Sequence, residues 1–240
     1  MDTTVSQFTT LLQEHHIKLE AAQLVQFEQY YTELVAWNEK MNLTGITERD
    51  QVYMKHFYDS LTLSIYVNMS EAERLADIGS GAGFPGIPLK ICFPHLKLTI
   101  VDSLSKRITF LQHICDTLQL KDVTLIHGRA EDIARLTEHR DAYDVVTARA
   151  VARLSLLNEF CLPFARKGGL FAAMKGSDPA EEVREAKRSL KELRAELTKV
   201  ESFTLPVEDS ARHIILIRKT METPAKYPRK AGVPAKSPLI

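Results

Sequence analysis

The stretch Asp77-Ile78-Gly79-Ser80-Gly81-Ala82-Gly83-Phe84-Pro85-Gly86 decides the fold. It follows a short apolar run, LADIG (75–79), and leads into a helix-like pattern. Glycine lets a chain turn sharply and lets a ligand approach the backbone with no Cβ in the way. Gly81-Ala82-Gly83-Phe84-Pro85-Gly86 also fits G-x-G-x-x-G, so the glycines alone are equally compatible with several nucleoside ligands and with a bare strand-to-helix turn.

Working outward from the loop, apolar runs alternate with amphipathic stretches from about Arg74 to Lys219. LADIG (75–79), KLTIVD (97–102), VTLIHG (123–128), YDVVTA (143–148) and GLFAAMKG (169–176) are predicted strands, with helical patterns such as Ile108, Leu111, Cys115 and Leu118 between them. That alternation implies a parallel sheet covered on both faces. Asp178-Pro179-Ala180-Glu181 carries capping signals for a longer helix whose apolar stripe is Val183, Ala186, Leu190, Leu193 and Leu197. Two more strands, 197–205 and 213–219, lie too close together for a helical crossover and should pair antiparallel. The expectation is an α/β fold with a mostly parallel seven-stranded sheet and its last strand antiparallel. This Rossmann-like arrangement is similar to the class I fold of S-adenosylmethionine-dependent methyltransferases.

The flanks differ in kind. Residues 1–70 read as a helical N-terminal extension, with Leu24, Phe27, Tyr31 and Leu34 forming one apolar stripe. Residues 71–220 form the core, and 221–240 a basic, proline-rich tail expected to be extended, either as a frayed terminus or as a basic arm laid against phosphates. The whole chain has 240 residues, 31 Lys+Arg against 31 Asp+Glu, and 45% hydrophobic content. That describes one good-sized globular domain, or a domain with a modest extension. Zero net charge argues against coating nucleic acid by bulk electrostatics and leaves room for a local basic face. The three cysteines are far apart, which excludes a zinc ribbon or disulfide scaffold and suits a reducing compartment. No apolar run long enough for a membrane span occurs, and the N-terminus lacks a signal pattern. A cytoplasmic monomer with no membrane or metal partner is expected.

Two carboxylates sharpen the reading of the loop. Asp77 extends it to D-x-G-x-G-x-G, the form found in S-adenosylmethionine sites, where a carboxylate can accept from an ammonium. A pyrophosphate ligand would be repelled there. Asp102 ends the second strand, where a carboxylate binds ribose hydroxyls in both dinucleotide and S-adenosylmethionine sites. Ala130 and Glu131, after the third strand, offer backbone groups to an adenine edge. Glu131 also reads as the acidic first turn of a helix, and the two readings are compatible. Arg149 and Lys175 follow the fourth and fifth strands at the same sheet edge. Arg149 reads there either as a ligand contact or as a surface arginine paired with a carboxylate.

DIGSGAGFPGIPL (77–89), DSLSKRITFL (102–111), GRAED (128–132), Ala148-Arg149-Ala150-Val151 and YPRKAGVPAKSPL (227–239) occur together with WNEKMNLTGI (37–46) and KHFYDSL (55–61). This set resembles the bacterial 16S rRNA guanine-N7 methyltransferase family, also called the glucose-inhibited division protein B family, over nearly the whole chain. The resemblance implies methylation of N7 of a guanine in the decoding-region loop of 16S rRNA, guanine 527 in standard rRNA numbering, with naked rRNA or the small ribosomal subunit as partner. It implies cofactor contacts at Gly79, Phe84, Asp102, Ala130, Glu131 and Arg149. With Asp77 and the neighbouring Ser80, Gly81, Gly83 and Ser103, these make the expected cofactor set. Candidate catalytic groups are Asp59, Arg149 and Lys175. Candidate RNA contacts are Asn42, His56, Arg153, Lys175, Arg229 and Lys230. His56 reads equally well as a packed or capping histidine. The alternatives are a nicotinamide-dependent oxidoreductase using the same loop and a non-catalytic ribosome-assembly or cell-division factor that only retains the fold.

Overall fold

A computed structural model describes residues 2–149, 152–206 and 209–240. Ala150 and Val151 of the motif after the fourth strand, and Val207 and Glu208 between the last two strands, lie outside the described residues. The strands are β1 (Arg74–Ile78), β2 (Lys97–Asp102), β3 (Val123–His127), β4 (Tyr143–Arg149), β5 (Ala165–Lys175), β6 (Ala195–Leu205) and β7 (Ser210–Lys219). They form one sheet in the order β3-β2-β1-β4-β5-β7-β6. β1 to β5 pair in parallel, and β7 is antiparallel to both β5 and β6, as the sequence predicted. The chain leaves β1 toward β2 and β3 and then returns to β4 on its other side. The carboxyl ends of β1 and β4 therefore flank a crevice where an α/β sheet takes a ligand.

Alternation along the strands divides the core between the two faces. Ile214 and Leu216 of β7 join the cluster under the N-terminal helices, while Ile215 and Ile217 face the other side. The N-terminal helices, Thr3–Glu14 and Ala21–Met41, share that first cluster with β1, β2 and the glycine loop. An aromatic chain runs through it: Phe8 on Phe27 (5.2 Å), Phe27 on Phe57 (5.1 Å), Phe57 on Tyr30 (5.2 Å) and Tyr30 on Phe84 (5.5 Å). The buried stripe of the second helix is Phe27, Tyr30 and Leu34, so Tyr30 is its buried tyrosine and Tyr31 is only partly covered.

Two expectations are corrected. The helix predicted from Asp178 is two short helices, Ala180–Glu185 and Lys187–Glu192, and β6 already begins at Ala195. Leu197, expected on the helical stripe, lies in β6 and is partly exposed, because pairing with β7 claims the backbone first. The tail is not a loose extended arm. Tyr227, Pro234 and Leu239 are buried, and Val233–Lys236 form a helical turn. Arg140 donates to the Tyr227 and Thr223 carbonyls (both 2.9 Å), and Arg135 donates to the Pro228 carbonyl.

Candidate functional site

The glycine loop is held from beneath. Gly79, Gly81 and Gly83 take φ of 73°, 63° and 105°, a region that side chains disfavour. A Cβ on Gly83 would also meet Ile87 Cγ1 at 2.8 Å and would collide with the Tyr30 hydroxyl. That hydroxyl donates to the Ala82 carbonyl (2.5 Å), so a residue of the N-terminal helices fixes the tip of the loop. Burial raises the Tyr30 pKa well above the usual tyrosine value, which keeps the donor proton in place.

Asp77 is fully buried under the loop rather than on its ligand face. Its Oδ2 accepts from the Ser80 hydroxyl (2.6 Å) and the Gly86 N–H (2.8 Å), while Oδ1 is buried with no hydrogen-bond partner. Burial pushes its pKa up to about 6, against the lowering effect of those two donors. Asp77 thus ties both ends of the loop together.

Above the loop lies an open cleft with a volume of about 420 Å³, lined by Leu43, Thr44, His56, residues 79–82, Phe84, Asp102, Ser103, Arg107 and Arg149. Asp102 stands at the end of β2, with Oδ2 accepting from the Gly81 N–H (3.1 Å) and Oδ1 from the Leu104 N–H (2.9 Å). Arg107 approaches the same carboxylate at 3.4 Å. Beyond Gly79 and Ser103, a second pocket of about 110 Å³ is bordered by Ile78, Val101, Gly128, Ala130, Glu131 and Phe160. Ala130 and Glu131 open the helical turn Ala130–Ile133, so Glu131 is both its acidic first turn and a pocket wall.

The other rim comes from the N-terminal helices. His56 sits in a π-helical turn, Tyr53–Tyr58, and stacks on Phe84 at 4.6 Å and 20°. Its Nε2 lies 2.7 Å from Thr44 Oγ1, and Nδ1 is buried with no partner. Burial, helped by Arg149, lowers its pKa to about 3, so the ring is neutral near pH 7. The Arg149 guanidinium lies 4.9 Å from the Phe84 ring centre. It donates to Asp59 Oδ2 (3.1 Å) and Ser60 Oγ (3.3 Å) and approaches the Lys55 carbonyl (3.4 Å). Arg149 is therefore both a cleft residue and one half of a buried ion pair. Asp59 Oδ1 accepts from Arg212 Nε (3.2 Å), so both carboxylate oxygens are engaged behind the cleft.

Several expected residues are not brought to the cleft. Lys175 is buried between Glu182 (2.7 Å) and the Ala152 carbonyl. Arg153 pairs with Glu185 (2.8 Å) on the surface. Arg229 forms a two-pronged pair with buried Glu159 (2.9 and 2.6 Å) and anchors the tail. Lys230 is exposed beyond that anchor, and Asn42 is the exposed left-handed cap of helix Ala21–Met41, next to the cleft residues Leu43 and Thr44. Sequence reading missed Tyr30, Thr44, Arg107, Phe160 and Arg212. DSLSKR (102–107) offers a signal for Arg107, five residues after the strand-end acid. Nothing local marks the others, because their partners are distant in sequence.

The arrangement can hold a nucleoside on a glycine loop, with a carboxylate at its rim and a cation beside it. Among the described residues no group of three or more His, Cys, Asp or Glu side chains is placed to hold a metal ion, and no helix is long and apolar enough to cross a membrane. Solved structures with this fold include an O-methyltransferase from Bacillus cereus in complex with SAH (TM-score 0.57, 15% identity, 79% of this chain and 91% of that one). A putative O-methyltransferase from Klebsiella pneumoniae is similar (TM-score 0.56, 15% identity, 88% and 96%). The chain is 54% identical over 235 residues to the ribosomal RNA small subunit methyltransferase G of Bacillus velezensis and 53% identical to that of Bacillus subtilis, each covering 98% of both chains. The nicotinamide-dependent alternative falls with these matches. Residues 23–215 fit the family model described as GidB, rRNA small subunit methyltransferase G, and the chain belongs to that family.

Proposed function

We propose that this chain transfers a methyl group from S-adenosylmethionine to N7 of a guanine in the decoding-region loop of 16S rRNA. The observation that carries the reading is the acid–base character of the cleft. Among the described residues its one lining carboxylate, Asp102, is occupied by the Gly81 and Leu104 amides, and its one histidine, His56, is neutral and packed on Phe84. Such a cleft is poorly equipped to remove a proton from an exocyclic amine or a hydroxyl. Guanine N7 presents a lone pair and no proton, so alignment and electrostatics suffice.

The residues fit the cofactor. Gly81 has nothing within 4 Å of where a Cβ would stand, which leaves open space over the loop for the methionine portion. Asp102 is placed for ribose hydroxyls, and the pocket of about 110 Å³ at Ala130, Glu131 and Phe160 is taken as the purine site. S-adenosylmethionine, when bound, supplies an electrophilic methyl carbon on a sulfonium. The chain's part is to hold that end between the loop and the His56–Phe84–Arg149 rim. Asp59 serves this rim by fixing Arg149 rather than by facing the base. Asn42 and His56 are proposed for the RNA side, with Lys230 as an outlying cation.

The reading extends to a monomer in the cytoplasm. Of the exposed large apolar side chains, Val25 lies on helix Ala21–Met41, while Leu136 and Met221 lie in loops after Ala130–Ile133 and after β7. The test incubates the protein and labelled S-adenosylmethionine with small subunits from a strain lacking the enzyme, then analyses digested nucleosides by mass spectrometry. One 7-methylguanosine in the decoding-region loop is expected. A methylated exocyclic amine or ribose would overturn the N7 assignment.

A further inference from the structure

The far pocket has two walls on separate elements, a four-residue helical turn and the end of a longer helix. Glu131 belongs to the turn Ala130–Ile133, and Phe160 to helix Leu154–Cys161. The C-terminal tail grips both. The Gly232 N–H donates to Glu131 Oε1 (3.0 Å). Three residues earlier, Arg229 grips Glu159, the neighbour of Phe160, through Nε and Nη2, and its own N–H donates to the same carboxylate (2.8 Å). Both carboxylates are buried, so each needs its donors.

We infer that residues 227–232 form the outer brace of the cofactor pocket, with Arg229 and the Gly232 amide as positioning groups that set the spacing between the Glu131 turn and Phe160. This rests on the reading of that pocket as the purine slot of the S-adenosylmethionine site. The brace acts on cofactor affinity: Arg229 is already spent on Glu159, and of the two cations only Lys230, exposed beyond it, faces solvent. The coupling is reciprocal: cofactor binding stabilises the docked tail to the same extent that the docked tail strengthens cofactor binding.

Two variants separate this role from a purely structural one. A chain ending at Lys230 keeps Tyr227 and the Arg229–Glu159 pair but loses the Gly232 donor together with the buried Pro234 and Leu239. The double variant Glu159→Gln with Arg229→Gln removes the grip without leaving a buried charge unpaired. Binding of S-adenosylhomocysteine is measured by calorimetry alongside thermal melting. Turnover is measured on small subunits over a range of S-adenosylmethionine concentrations. Each variant is expected to weaken S-adenosylhomocysteine binding about tenfold, the scale of one lost hydrogen bond to a charged group. KM for S-adenosylmethionine should rise by the same factor, with kcat at saturation within about twofold of the full chain.

Unchanged S-adenosylhomocysteine affinity in folded variants would overturn the inference. So would a rise confined to the KM for subunits, which would make the tail an RNA arm. A full chain that itself fails to bind S-adenosylhomocysteine would overturn the cofactor reading, and the inference would fall with it.

Discussion

The loop end of the cleft is braced from inside the fold, by the Tyr30 hydroxyl and the Asp77 carboxylate, whereas the Ala130–Glu131 end is held from outside by the last residues of the chain. The inner braces are buried groups with few ways to relax. The outer brace is a strap of backbone and side-chain contacts on the far side of a pocket wall. One site is thus built from a rigid half and an adjustable half, and substitutions in the two halves should fail differently. Inner changes should cost stability first, and outer ones cofactor affinity first.

The strongest test of the inner half is Gly83→Ala. The added Cβ would collide with Tyr30 and Ile87 at a φ of 105°, so overpacking and backbone strain add to about 4 kcal/mol. Gly81→Ala, with open space around its Cβ and a φ of 63°, should cost only about 1 kcal/mol, both costs being read by urea titration. Equal costs at the two positions would show that the loop is not pinned by Tyr30.

Asp59→Asn comes next. It strips the charge that two guanidiniums share, and breaking a buried pair of this kind costs about 3 kcal/mol. It should also free Arg149 and lower turnover more than S-adenosylmethionine affinity, as steady-state kinetics and calorimetry would show. Unchanged turnover would remove Asp59 from the rim.

A pH dependence is the last test of the inner half. The Asp77 carboxyl has its folded pKa raised to about 6 from 3.8, so the folded state holds the proton more tightly than the unfolded chain. Its contribution is therefore most favourable below pH 4 and is lost as pH rises through 6, a change on the order of 2–3 kcal/mol. Asp77→Asn has no such titration. The stability of the variant relative to the parent should rise between pH 4 and 6 and then level off. Other groups that titrate in this range cancel in that comparison. A flat difference across the range would mean that water reaches the carboxylate.

The sheet was legible because each strand announces itself locally, by an apolar run and a turn. The short link before β7 excluded a crossover, and so fixed its direction. The glycine loop and Asp102 were legible for the same reason, since both sit at strand ends. What could not be read was pairing at a distance. Lys175 and Arg229 have the chemistry of RNA ligands, yet Glu182 and Glu159 claim them in the fold. Tyr30 rather than Tyr31 is the buried tyrosine of the second helix, because three- and four-residue steps leave a one-residue ambiguity that only the partner surface resolves. The tail looked too polar to pack, but its few apolar residues are spaced to reach a surface that the core had already made.

The π-helical turn at Tyr53–Tyr58, closed by the Asp59 N–H reaching back to the Met54 carbonyl, carries one residue more than an α-helical turn would. An α-helix advances about 100° per residue, so that residue resets the rotational phase of everything after it. Tyr53 can face Phe8 on one side of the turn while Asp59 faces Arg149 on the other. Deleting a single residue here would leave the composition almost untouched and swing Asp59 away from the cleft, so the length of this segment is constrained as strictly as any side chain in it.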